Sequence, residues 1–171
     1  DPTGNPNGPK EHFGFRDGIA QPHIAGMPSR EDGHAIPGNI IPTGEILLGY
    51  ANAYGEMPEG PTDANGHGFG RNGTFLVFRQ LHQDVVGFWN YVARQAADKG
   101  YGPVELAAKM VGRWPDGTPL VESPTGPKST LQTHDRFVYA GHHSHPDPFG
   151  LHCPIGSHIR RTNPRDSLNE D

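Results

Sequence analysis

Cysteine is nearly absent: the chain of 171 residues has one, Cys153. A single thiol excludes an internal disulfide framework and any paired-cysteine metal knuckle. Long apolar runs are missing too, and nothing approaches the roughly 20 residues that a membrane-spanning helix needs. Basic charge is scarce. Fourteen Lys and Arg against nineteen Asp and Glu leave a net charge of −5, with no basic stripe to neutralise phosphates, so nucleic acid is not an expected partner. No signal peptide is visible, which favours a cytoplasmic setting. The sequence nonetheless begins at Asp1 and not at a methionine, so its natural start, and any address carried there, can lie elsewhere.

Glycine and proline are plentiful instead, 24 and 18 residues, while only 33% of the chain is hydrophobic. That balance predicts little regular structure and long ordered loops around a modest core. The length is that of one domain. Residues 1–72 read as loop, broken by NPNGP, GMPSREDG, IPTGE and EMPEGPTDANG, with EILLGY (45–50) as a short strand. GTFLVFRQL (73–81) carries apolar side chains on both faces, as a central strand does. Val85, Phe88, Trp89 and Val92 then recur at helical spacing, with Asp84 near the start and Gly100 as the stop. GPVELAAKMVGRW predicts a second helix with Pro103 in its first turn. RFVYA reads as a further short strand, and the last thirty residues are rich in His, Pro and Gly. The pattern is α+β.

Several motifs invite a chemical reading. GFGRNG (68–73) satisfies G-x-G-x-x-G, but loop precedes it and a strand follows, the reverse of a dinucleotide site. NGT (72–74) matches a glycosylation sequon but runs into the expected strand. His142, His143, His145, His152 and His158 fall within 17 positions. Their spacing matches no familiar metal motif, which favours a solvated loop over a metal site. In HFGFRDGIAQP (12–22), Asp17 sits between Gly14 and Gly18 with Phe13, Phe15 and Ile19 around it. A carboxylate in apolar surroundings is how an acid or base is tuned, although local chemistry alone favours a turn salt bridge with Arg16. CPIGSHIRRTNPR (153–165) offers an imidazole, His158, followed by Arg160, Arg161 and Arg165. Imidazole suits haem iron and guanidiniums suit propionates, while taken alone the stretch reads as a basic turn paired with acidic residues.

In this order GFRDG, AAKMVGRWPDGTPL and CPIGSHIRRTNPR resemble the dye-decolorizing peroxidases. The resemblance runs over essentially the whole chain, and GTFLVFRQLHQDVVGFW looks like the opening strand and helix of that family's C-terminal ferredoxin-like domain. It implies an α+β, ferredoxin-like fold of the dimeric α+β barrel type, incomplete in this chain. Residues 1–72 would form a loop-rich haem-facing segment, and 73–171 the first part of the ferredoxin-like domain. The family's G-x-x-D-G motif falls on Gly14, Phe15, Arg16, Asp17 and Gly18, which makes Asp17 the distal group that moves a proton as hydrogen peroxide is cleaved. His158 becomes the proximal iron ligand, and Arg160, Arg161 or Arg165 a partner of the haem b propionates. The family's distal arginine has no counterpart after Arg165, which suggests a fragment, or a chain completed by a missing segment or a second chain. The implied activity is peroxidase action on hydrogen peroxide and a bulky phenol or dye. A haem-binding module without turnover, a cofactor-free structural fragment and a non-haem metalloenzyme are the rivals.

Overall fold

Among the described residues the backbone reverses four times by the same device. In Glu11–Phe15, Asn52–Glu56, Asp63–His67 and Trp114–Thr118, the first residue donates its N–H to the carbonyl of the fifth at 2.8–2.9 Å, and a glycine at the fourth position donates back to the first. Those glycines, Gly14, Gly55, Gly66 and Gly117, have φ between 75° and 102°. A β-carbon resists that left-handed region, so the loop closes with glycine there. Asn52 and Asp63 add a side-chain oxygen that accepts the third and fifth N–H groups. At Asp63 these bonds, the one from His67 first, hold the carboxyl below its ordinary range. The signal x-x-x-Gly-x is readable in EHFGF, NAYGE, DANGH and WPDGT.

The computed structural model describes residues 8–19, 23–27, 40–139, 146–163 and 165. Its contacts divide the chain otherwise than at residue 73: one unit joins 1–21 to 82–171, and the other is 22–81.

In the first unit, helix α1 (Val85–Lys99) begins where Asp84 accepts the Gly87 N–H at 2.8 Å and ends at Gly100. Its stripe Val85, Phe88, Trp89, Val92 and Ala96 is the face turned inward. Helix α2 (Pro103–Val111) starts on Pro103 and stops at Gly112. The adjacent alanines Ala107 and Ala108 are both fully buried, but in different clusters. Ala107 joins Val92 and Phe15, with Phe13, Phe88 and Trp89 packed around them. Ala108 joins Trp114, Leu120, Val121, Phe137, Tyr139 and Cys153, against which Ile159 packs. So α2 is a wall with one apolar cluster on each side. A short third helix, α3 (His158–Thr162), lies on the second side.

The 22–81 unit pairs β1 (His23–Ile24) with β2 (Ile40–Ile41) in parallel, followed by a 3-10 turn at Thr43–Glu45. None of its described residues is buried. The strand expected at 45–50 is this turn and a bend, and the one expected at 136–140 is irregular over its described residues, with Phe137 and Tyr139 buried. The central strand expected at 73–81 is absent as well. Residues 74–81 form no backbone hydrogen bond among the described residues, and Phe75, Leu76, Val77, Phe78 and Leu81 are 70–88% exposed. Strand propensity becomes a strand only where a neighbour supplies the ladder.

Exposed side chains contribute little to stability, so Leu76→Lys with Phe78→Lys should change unfolding free energy by less than about 0.5 kcal/mol per site and raise solubility. Urea titration checks it; a large loss of stability would show the segment packed.

Candidate functional site

The loop carrying Asp17 is seated by its aromatic residues. Glu11 accepts the Phe13 and Phe15 N–H groups at 2.7 Å each, so its carboxylate clasps the inside of the hairpin. Phe13 lies 4.8 Å from Phe88, and Phe15 stacks parallel to Trp89 at 6.4 Å. The Trp89 indole N–H donates to the Phe13 carbonyl at 3.1 Å. Arg16 is buried, and its backbone N–H donates to Pro115 at 3.0 Å. Asp17 is held from behind by its own N–H on the Pro9 carbonyl. These contacts anchor the loop to α1 and to the 114–118 hairpin while leaving the Asp17 side chain exposed. Oδ1 accepts the Gly18 N–H at 2.7 Å, and Oδ2 has no partner among the described residues. The phenylalanines expected to screen Asp17 from water face α1 instead. No ion pair joins Asp17 to Arg16.

On the other side of α2, Ser157 precedes α3 in extended conformation and His158 is the first helical residue. Its side chain is exposed and takes no hydrogen bond from any described residue. The three candidate arginines part company here. Arg160 is 3% exposed, donates to the carbonyls of Asp147, Cys153 and Pro148 at 3.0–3.2 Å, pairs with the Asp147 carboxylate at 3.7 Å and lies 4.5 Å over the Tyr139 ring. Asp147 in turn accepts the N–H groups of Leu151, His152 and Cys153. Arg165 is also buried, donating to the Asp135 and Phe137 carbonyls and to the Asp135 carboxylate. Both guanidiniums make several bonds inside the protein, although the Nε of each is buried without a partner among the described residues. Arg161 is exposed. Asn163, at the end of α3, has both amide atoms buried without a partner.

Asp135 is shared. Arg113 donates to it at 3.0 Å and to the carbonyls of Gly117 and His134 at 2.8 Å each. Burial pulls the Arg113 guanidinium down to about 10, against the Asp135 carboxylate beside it. Burial likewise pushes the Cys153 thiol up, and its sulfur sits 3.3 Å from the Ser157 hydroxyl. Arg113 and Asp135 are what sequence reasoning missed, whereas PDGTP after Trp114 already reads as the turn found there. Of the histidine cluster, His142, His143 and His145 lie outside the described residues; among the described ones no three His, Cys, Asp or Glu converge to hold a metal ion. A cavity of about 240 Å³ lined by Leu48, Met57, Pro58, Pro61 and Arg71 belongs to the 22–81 unit and contains none of the candidate residues.

No protein-family model matches the chain. Among curated proteins it is 38% identical over 170 residues to a dye-decolorizing peroxidase of Auricularia auricula-judae, aligning 92% of this chain with 30% of that one. It is 34% identical over 163 residues to Peroxidase 2 of Mycetinis scorodonius, 93% of this chain against 30% of the relative. It therefore spans about 30% of the length of the curated relatives it matches. Among solved structures it superposes on a dye-decolorizing peroxidase in complex with 2,6-dimethoxyphenol with a TM-score of 0.61 and 31% identity, covering 92% of this chain and 35% of that one. The Auricularia enzyme complexed with imidazole gives a TM-score of 0.62 and 33% identity over 93% of this chain and 34% of its own.

The arginines separate by substitution. Arg160→Ala leaves the buried Asp147 carboxylate its three N–H donors but no counter-ion and should cost about 3–5 kcal/mol, whereas Arg161→Ala should stay within about 0.5 kcal/mol. Denaturant melts of the two variants decide it, and equal losses would contradict the burial pattern.

Proposed function

The chain belongs to the dye-decolorizing peroxidase family, and from that premise we propose that it is a haem-binding portion of a peroxidase that reduces hydrogen peroxide and oxidises a bulky phenolic or dye-like substrate. The observation that carries this reading is the disposition of two side chains. His158 and Asp17 are the motif residues the resemblance singles out, they belong to one structural unit, and both are left exposed by elements that are otherwise firmly anchored.

The residues fit haem b in kind. His158 offers an imidazole with no competing partner, and a ring nitrogen in that state can ligate iron. Arg161 offers an uncommitted guanidinium for a propionate, and the orphaned Asn163 amide, five residues beyond His158, is a further donor without an acceptor. Arg160 and Arg165 support the site from inside by fixing the backbone before and after α3. When bound, the haem supplies a redox-active iron that takes up the oxidising equivalents of the peroxide. The chain's own part is proton transfer. Asp17 Oδ1 is held by the Gly18 N–H, which leaves Oδ2 to take a proton from one peroxide oxygen and deliver it to the departing one. Gly14 and Gly18, at φ 97° and 70°, let the backbone turn sharply on both sides of the motif.

The ferredoxin-like, dimeric α+β barrel architecture is part of the same proposal. It is supported by residues 74–81, an apolar segment whose backbone lacks ladder partners among the described residues and which a further strand, from additional chain or a second subunit, would complete. The reducing substrate is proposed to be a phenol, the class to which the ligand of one structural neighbour belongs.

Titration with haemin tests the ligand assignment. His158→Ala should abolish the Soret shift, and His152→Ala should preserve it; equal loss in both would move the ligand elsewhere. Asp17→Asn keeps the size and removes the base, so in the haem-loaded protein it should slow peroxide cleavage about 10²–10⁴-fold at unchanged haem content. A stopped-flow rate equal to that of the parent would assign proton transfer to another group.

A further inference from the structure

The middle motif, AAKMVGRWPDGTPL, has no place in the chemistry so far, yet its two glycines meet the two functional elements. A β-carbon on Gly112 would lie 2.3 Å from Ile159 Cγ1, 2.7 Å from Ile159 Cδ1 and 3.1 Å from Ser157 Oγ. Those residues flank His158. A β-carbon on Gly117 would lie 2.6 Å from Ile19 Cδ1 and 3.1 Å from Arg16 Cδ, and 2.2 Å from the Gln132 carbonyl. Ile19 and Arg16 flank Asp17. Both glycines are left-handed, at φ 96° and 102°. Between them the backbone is tied at each step. The Gly112 N–H closes α2 on Ala108 at 2.6 Å, the Gly112 carbonyl accepts from Leu120, the Pro115 carbonyl accepts the Arg16 N–H, and the Gly117 carbonyl accepts from Arg113.

We propose that the stretch Gly112–Gly117 is the spacer that fixes the Asp17 loop relative to the His158 helix, with Gly112 and Gly117 as positioning residues at its two ends. The inference rests on the assignment of Asp17 and His158 as the functional pair, and its geometric content does not need bound haem. Glycine is required at both ends because both are left-handed and because the Ile159 side chain at Gly112, and the Gln132 carbonyl with the Ile19 side chain at Gly117, leave no room for a methyl group. A hairpin bonded at every turn transmits a displacement at one end and does not absorb it.

The test measures the separation directly. His12 and Thr162 are exposed, and His12→Cys with Thr162→Cys gives two sites for spin labels, while buried Cys153 is shielded. Pulsed electron resonance should show one narrow distance distribution in the parent chain. Gly112→Ala and Gly117→Ala should shift or broaden it, and Gly44→Ala should not; a β-carbon on Gly44 would meet the Ala51 carbonyl at 2.3 Å, but in the other unit. Adding Ile159→Ala to Gly112→Ala removes the side chain that is struck and should move the distribution part of the way back, which also covers a single variant that folds poorly. Ile19→Ala should not restore Gly117→Ala, because the Gln132 carbonyl still blocks it. Haemin titration supplies the second readout. Gly112→Ala should weaken binding roughly 10–100-fold, the usual cost of disturbing the support of a metal ligand, and Ile159→Ala should recover part of it. Unchanged distances in both glycine variants would overturn the spacer. A parent chain that gives no Soret shift while its distances respond to the glycines would instead refute the haem reading and leave the spacer standing.

Discussion

Asp135 is the carboxylate around which the unit of residues 1–21 and 82–171 is assembled. It is met by two guanidiniums, Arg113 from the turn that follows α2 and Arg165 from beyond α3. Burying such a group is unfavourable unless its partners arrive with good geometry, and removing one partner from a buried pair costs about 3–5 kcal/mol. Here the geometry is extended by backbone. Arg113 also grips the Gly117 and His134 carbonyls, and Arg165 grips those of Asp135 and Phe137, with both guanidiniums lying against the Phe137 ring at 5.4 and 4.0 Å. A planar fork with five donors suits this task, and an ammonium does not. Arg165 accepts a left-handed backbone, φ 51°, to reach it. The ends of three irregular segments are thereby held together without a sheet.

How much of this was legible depends on whether the signal is local. Helices α1 and α2 were readable because spacing, the Asp84 start, Pro103 and the Gly100 stop all act within a few residues, although the second helix was read through to Trp114 and ends at Val111 before the left-handed Gly112. The four glycine hairpins are local as well. Motif order singled out Asp17 and His158 as candidates but divided them between the segments 1–72 and 73–171, whereas the contacts put both in one unit; side-chain chemistry did not sort the candidates. From sequence, Arg160, Arg161 and Arg165 are equivalent. Only tertiary contacts distinguish two structural arginines from an exposed one, because the acceptors of Arg160 are carbonyls seven to thirteen positions away. The same holds for Phe13 and Phe15, whose apolar surface was assigned to Asp17 and is spent on Phe88 and Trp89.

The candidate groups Asp17 and His158 therefore stand apart from the core. Every long-range anchor near Asp17 acts on backbone or on its neighbours, and the same is true near His158, so neither side chain is consumed in holding the fold together. Helix α2 makes that economy possible. Two consecutive alanines present faces about 100° apart, one to the cluster beneath the Asp17 loop and one to the cluster beneath α3. Small side chains at these positions bring both clusters close to a single helix axis.

The 22–81 unit obeys a different constraint. Its described residues include none that is buried, and its order comes from turns, from Thr43 and Thr74 hydroxyls on the Ala25 and Ile46 carbonyls, and from Arg71 against Tyr50. Such bonds are worth about 0.5–1.5 kcal/mol each. Against this, the stretch 74–81 holds five large apolar side chains in water, and burying one is worth about 1.5–3 kcal/mol. The unrealised burial is thus on the order of 10 kcal/mol, comparable with the whole stability of a typical domain. A segment with that composition, no proline and one charge has its largest available stabilisation in pairing with another strand, which is why its sequence reads so strongly as a central strand while its contacts, taken within this chain, do not make one.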